Sequence, residues 1–189
     1  VTTAAAFLTF SGAVTLLTRK LAEFGWGYER WAFYPYDEPW NTGETLLPGL
    51  RAFCENVRAA DPQVRLYTDP TGGINAERIA GFNDLIDIWQ PEVNILKRDP
   101  ELVQWMRDNA GEFLAYEATD PGKNLKPLGY YRAWGWFAEH FGLDGWGWWV
   151  YRYEDTWWAH AGGDWTVVYP NRGESVPSRR WEAARDGVE

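Results

Sequence analysis

Short apolar runs and amphipathic stretches alternate along this chain at intervals of about 30 residues, the length of one βαβ unit. No other feature of the sequence limits the fold as tightly. Trp26–Tyr36 is the first strand region, apolar almost throughout, as expected of a strand covered on both faces. Val64–Tyr67, Asp84–Trp89, Glu112–Glu117 and Gly145–Tyr151 read as the later strands. Between them lie helical spacings. Glu44–Ala60 places Leu47, Leu50, Phe53, Cys54 and Val57 on one side, and Asn75–Phe82 is a shorter candidate. Asp99 caps a helix with Pro100 in its first turn and Leu102, Val103 and Met106 on its buried side. Pro127–Phe141 buries Tyr131, Trp134, Phe137, Ala138 and Phe141 before Gly142 ends it, and a last helix begins at about Arg179. Upstream, Ser11 is expected to cap a helix carrying Ala13, Leu16, Leu17, Leu21 and Phe24, while Ala4–Phe10 has no clear assignment. Tyr153–Val176 reads as a long connection containing Trp157, Trp158 and Trp165. Strands alternating with covering helices make a parallel sheet. Either an open α/β sheet or part of an eight-stranded (β/α)8 TIM-type barrel accommodates it.

The C-terminal ends of the strands are where such folds keep their chemistry. In Trp31-Ala32-Phe33-Tyr34-Pro35-Tyr36-Asp37-Glu38-Pro39 an aromatic strand delivers two adjacent carboxylates, and Pro39 stops it, biasing Glu38 towards extended geometry. The first strand end therefore offers Tyr34, Tyr36, Asp37 and Glu38. The next ends offer Tyr67 and Asp69, then Trp89 with Gln90 beyond it, then Tyr116 and Glu117, and finally Trp148, Trp149, Tyr151 and Arg152. Taken one at a time, Asp-Glu-Pro is a common exposed turn and each Trp is as readily core as wall. Their collective placement describes an aromatic cleft with acids at its mouth, suited to a glycan.

Composition narrows the partners. A net charge of −9 and the lack of any Lys/Arg run argue against a nucleic-acid backbone as ligand. Fourteen Trp, ten Tyr and nine Phe exceed what a small core needs, leaving heavy packing or a stacking groove for sugar rings. Val1–Phe10 lacks a basic leader region and is too short to span a bilayer, so no membrane anchor is read. The compartment stays open, a bacterial secreted or periplasmic one included. Cys54, the single cysteine, is expected as a small buried residue. No G-x-G-x-x-G or G-x-x-x-x-G-K-[ST] follows a strand, and His140 and His160 form no metal pair, so no cofactor or metal is expected.

Adjacency of Asp37 and Glu38 bears on mechanism. Retaining two-carboxylate glycosidases hold their acids about 5–5.5 Å apart across the anomeric carbon, and inverting ones about 6.5–9.5 Å. Neighbours in sequence reach one side of a sugar more easily than both. That suits a division in which Glu38 protonates the glycosidic oxygen while Asp37 accepts the N–H of a 2-acetamido group whose own carbonyl oxygen attacks C1. Two acids this close are also expected to push one pKa upward.

Tyr36-Asp37-Glu38-Pro39, Leu66-Tyr67-Thr68-Asp69, Asp87-Ile88-Trp89-Gln90-Pro91 and Gly145-Trp146-Gly147-Trp148-Trp149 resemble the catalytic barrel of glycoside hydrolase family 123 and its uncharacterised relatives. The segment Val176-Pro177-Ser178-Arg179-Arg180-Trp181 through Gly187 is similar to the one leading into that barrel's last helix. The likeness runs from about Ala13 to the C-terminus. It implies a retaining N-acetyl-β-galactosaminidase-like hydrolase assisted by its substrate, with Asp37 orienting the acetamido group, Glu38 as acid/base, and Tyr67 and Tyr116 hydrogen-bonding nearby. Members carry an N-terminal β-sandwich and further barrel strands. Residues 1–189 are accordingly expected to form a single partial barrel domain with only the C-terminal five βα units, a fragment whose partner is the missing barrel half or another subunit. Two other readings stand beside the hydrolase: a catalytically silent glycan-binding protein using the same cleft, and a purely structural α/β domain.

Overall fold

In the computed structural model, residues 3–41, 43, 45–117, 126–151, 167–171 and 174–189 are described. Helix α1 spans Thr3–Glu23. It runs through Ser11, which is not a cap; its carbonyl instead accepts from the Thr15 hydroxyl at 3.0 Å. Ala and Thr residues upstream carry no breaker, so nothing halts the helix there. Val14 is the buried residue of its described part, whereas Leu16, Leu17 and Phe24 are exposed. Phe10 meets Phe53 of α2 (Leu47–Ala60) edge-on at 5.4 Å.

Four strands form one parallel sheet in chain order: β1 (Tyr67–Thr68), β2 (Ile88–Trp89), β3 (Glu112–Glu117) and β4 (Gly145–Trp148). Helices α3 (Ala76–Ala80), α4 (Val93–Leu96), α5 (Pro100–Asn109) and α6 (Pro127–Phe141) connect them. Strictly consecutive parallel order contains no point where the winding reverses, and it is consistent with part of a β/α barrel. Asn75 and Asp99 cap α3 and α5 through their side chains, and Gly142, at φ 68°, ends α6. The short α4, which periodicity did not indicate, is capped by Glu92.

The first expected strand is not one. Tyr28–Arg30 is a 3-10 turn, and only Phe33 bridges to Leu66, its N–H donating to Arg65 O at 2.8 Å and its carbonyl accepting from Tyr67 N at 2.9 Å. In a parallel ladder the next donor on this segment is two residues on, at Pro35, which has no N–H. Proline thus cuts the ladder to a single rung. The sheet has four strands and one edge bridge rather than five strands.

Leu66, Trp89, Phe113 and Ala115 join Leu50, Cys54, Val57, Leu102, Met106, Trp134 and Phe141 in the core between sheet and helices. Cys54 is fully buried, and burial pushes its thiol up to about 11. Trp40, Trp89 and Trp134 are buried outright, so much of the aromatic excess is packing. The N-terminal end of the sheet is tied by ion pairs. Arg58 reaches Asp87 at 2.6 Å and donates to the carbonyls of Val64 and Leu85, while Asp87 also accepts the Leu66 N–H at 2.7 Å. Arg65 pairs with Glu112 nearby.

The connection after β4 contains a hairpin that the sequence reading left as irregular chain, β5 (Tyr169–Asn171) with β6 (Glu174–Val176). Helix α7 (Arg179–Val188) follows, its first turn held by the Ser178 hydroxyl accepting from Arg180 N and Trp181 N. It packs on α6 through glycines: a Cβ placed on Gly135 would lie 1.8 Å from the Gly187 carbonyl oxygen. Arg152, Trp157, Trp158, His160 and Trp165 lie outside the described residues. Among the described residues, no helix is long and apolar enough to cross a membrane.

Candidate active site

Strand parity builds the site. Register pairs Tyr67 with Ile88, Ile88 with Glu112, Leu114 with Gly145, and Tyr116 with Gly147. One face of the sheet therefore carries Tyr67, Ile88, Leu114 and Tyr116, and the other buries Thr68, Trp89, Phe113, Ala115 and Glu117. At the C-terminal end of the first face lies a cleft of about 510 Å³ lined by Tyr34, Asp37, Glu38, Tyr67, Asp69, Gln90, Tyr116, Gly147, Trp148 and Trp149.

Several expected site residues lie elsewhere. Trp89 has the wrong parity and belongs to the core, and Glu117 is fully buried behind the cleft. Tyr36 packs against α2, where a Cβ on Gly49 would come within 2.8 Å of its hydroxyl. Tyr151 is half exposed, its ring edge-on to Trp181 at 5.8 Å. Arg152 is outside the described residues.

Each acid of the pair has its own partners. Glu38 does not adopt the extended geometry expected before a proline; its φ is +44°. Its N–H donates to Asp69 Oδ1 at 3.0 Å and its carbonyl accepts from Asn41 N at 2.9 Å, closing a turn with Pro39 inside it. A non-glycine residue at positive φ costs about 1–3 kcal/mol, and contacts on both sides of this peptide hold it there. Its carboxylate accepts from the Tyr116 hydroxyl at Oε1 and from Asn41 Nδ2 at Oε2, 3.0 Å. Asn41 is in turn braced by Gly72, at φ 72°, where a Cβ would lie 2.7 Å from the Asn41 Cα.

Asp37 is exposed and accepts from the Tyr34 hydroxyl at 2.6 Å. The same hydroxyl lies 2.5 Å from Asp69 Oδ2. Asp69 is only 7% exposed, and its carboxyl rises from 3.8 to about 6. Burial is the main cause; the Tyr34 and Glu38 hydrogen bonds oppose it and the Asp37 charge adds to it. Burial also lifts the hydroxyls of Tyr34, Tyr67 and Tyr116 well above the usual tyrosine range, keeping all three protonated as donors.

Asn41 is the residue that strand-end reading passed over, and Gln90, read there only as lying beyond Trp89, is the one that lines the cleft. Gln90 Oε1 takes the Tyr67 hydroxyl at 2.5 Å, and its Nε2 donates to Ala115 O at 3.1 Å, so it joins β1 to β3 across the cleft floor. Its position two residues beyond Ile88 on the open face was the available signal, as Glu-Pro-Trp-Asn was for the turn that holds Asn41. Gly147 keeps the floor open, since a Cβ there would sit 3.3 Å from Gln90 Nε2. Trp148 packs edge-on against Tyr131 and Trp134, and Trp149 is 44% exposed at the rim. Among the described residues no Lys or Arg lines this cleft, and no three His, Cys, Asp or Glu side chains gather as a metal-holding group.

No family model matches the chain, and no curated protein matches it. The site is therefore read from its own geometry.

Proposed function

We propose that the chain is the C-terminal part of a β/α-barrel glycoside hydrolase that cleaves β-linked 2-acetamido sugars with retention, the substrate's own acetamido oxygen acting as nucleophile. The observation that carries the proposal is the pairing of two adjacent carboxylates with different partners at one cleft mouth: Asp37 on Tyr34, Glu38 between Tyr116 and Asn41. Asp37 has one oxygen on Tyr34 and the other to accept the acetamido N–H. Both Glu38 side-chain oxygens accept a hydrogen bond. To act as general acid Glu38 takes up a proton, Asn41 releasing Oε2, and delivers it to the glycosidic oxygen as the acetamido oxygen closes on C1. Water then opens the resulting oxazolinium from the same face, with Glu38 as base. Tyr116 serves Glu38 rather than the acetamido group, and Tyr67 serves the floor through Gln90. Trp149, at the rim, supplies the apolar surface on which a sugar ring stacks.

Paired aryl glycosides, 2-acetamido against 2-hydroxy in the gluco and galacto series, test this on protein shown by circular dichroism to be folded. Turnover confined to the acetamido sugars is expected, and Asp37→Asn and Glu38→Gln should each lower kcat by about 10²–10⁴-fold without altering the melt. Turnover of 2-hydroxy sugars would sink the substrate-assisted scheme. The doubly occupied Glu38 carboxylate favours a second reading, a glycan-binding cleft without turnover. Saccharide-dependent Trp fluorescence with no hydrolysis would select it.

A further inference from the structure

We propose that Asp69 and Asp37 share one proton through the Tyr34 hydroxyl, which makes Asp69 a positioning residue for Asp37. Tyr34 Oη stands 2.6 Å from Asp37 Oδ1 and 2.5 Å from Asp69 Oδ2, both ordinary O–H···O separations. A phenol has a single proton. With both aspartates ionised it satisfies one of these contacts, and the other sets two oxygen lone pairs against each other. One additional proton resolves the geometry: Asp69 Oδ2–H donates to Tyr34 Oη, whose own proton goes to Asp37 Oδ1. No bond other than these O–H bonds changes.

The proton belongs on Asp69 rather than Asp37 because their surroundings differ. Asp69 is buried and Asp37 exposed, and burial penalises the charged form. Asp69 is faced by Asp37 and Glu38 from the edge loop, Tyr34 from the edge segment, Tyr67 from β1 and Tyr116 from β3, with no cationic side chain lining the cleft among the described residues. Its second oxygen accepts the Glu38 N–H, so the same carboxyl braces both members of the pair: Glu38 through its backbone, Asp37 through Tyr34. When Asp69 is protonated, the Tyr34 proton is committed to Asp37, and Asp37 keeps its other oxygen aimed for a ligand N–H. When Asp69 ionises, it competes for that proton and the exposed Asp37 loses its anchor. With a value of about 6 the protonated fraction of Asp69 falls about tenfold between pH 5 and 7. The effect on turnover rests on the glycosidase reading; the shared proton does not.

The test is carbon-13 NMR of protein labelled at the aspartate carboxyls, with Asp69→Asn and Asp37→Asn used to assign the two signals. In the wild type, Asp69 should titrate near pH 6 and the Asp37 signal should show an inflection at the same pH. In Tyr34→Phe, Asp69 should still titrate above the usual aspartate range, but the Asp37 inflection near pH 6 should vanish. An Asp69 titrating below pH 5, or an Asp37 inflection that survives Tyr34→Phe unchanged, overturns the proposal. In parallel, kcat on a 2-acetamido aryl glycoside should fall as pH rises through 6 in the wild type, and this limb should be missing from Asp69→Asn. If the NMR behaves as stated while no glycoside is turned over, the glycosidase reading fails and the shared proton stands.

Discussion

The two ends of the one parallel sheet use the same side chains to opposite ends. At the N-terminal end, Asp87 and Glu112 each meet an arginine, Arg58 and Arg65, and the Arg58 guanidinium also ties down backbone carbonyls of two segments. At the C-terminal end, Asp37, Glu38 and Asp69 meet tyrosines, an asparagine and a backbone N–H, and no cation lines the cleft among the described residues. An arginine settles a carboxylate's charge and removes its reactivity. A phenol orients the carboxylate and leaves the charge in place. The division matches the general plan of β/α folds, in which the N-terminal face carries stabilising contacts. It also carries a consequence for engineering: an acid removed from the lower end should weaken the protein, whereas removing Asp69, the buried acid of the upper end, should strengthen it.

The largest effect should come from below. Arg58→Ala strands Asp87 and the carbonyls of Val64 and Leu85 in partly buried positions, and a loss of about 2–3 kcal/mol is expected in urea unfolding. An unchanged urea midpoint would break the comparison at once. From above, Asp69→Asn should stabilise the fold at pH 7 by about 1–3 kcal/mol. Its sign follows from linkage. The folded-state value, about 6, lies above the ordinary 3.8, so the native state binds the extra proton between those values. Wild-type stability from this group is therefore full below pH 4, declines as pH rises towards 6 and is flat beyond. Unfolding series at pH 4, 5, 6 and 7.5 should show that decline in the wild type and not in Asp69→Asn, the two curves converging at the acid end. The smallest effect should be at Arg65, whose partner Glu112 is substantially exposed; Arg65→Ala should cost less than about 1 kcal/mol, and less still in high salt. A larger loss would show that the lower end works as one network rather than as two separate pairs.

Much of the fold was legible beforehand because its signals are local. Periodicity and capping placed Pro127–Phe141, Glu112–Glu117 and the Asp99-Pro100 helix start where they are found, and the buried faces of α2, α5 and α6 contain the residues expected of them. Where a local rule was misapplied, the error was local too. Pro35 was visible inside the supposed first strand, and its missing N–H is what reduces that strand to one bridge. Ser11 resembled a cap only because the alanine-rich stretch before it was left unassigned, and that stretch is helix.

The site was legible in kind and partly in membership. Acids and aromatics at the strand ends announced themselves in the sequence, and most of them do converge on one cleft. What the sequence by itself determined was therefore the alternation of elements, the burial of their apolar faces, and which residues could supply chemistry at the upper rim. What only the tertiary structure decided was which of each neighbouring pair faces inward: Gln90 and not Trp89, Tyr116 and not Glu117. It also decided which acid is buried enough to hold a proton, and that Glu38 takes its hydrogen bond from a tyrosine 78 residues away. The physical reason is range. Turn chemistry and hydrophobic period act over a few residues, whereas strand parity, desolvation and the partners of a carboxylate are set by segments that meet only when the chain has folded.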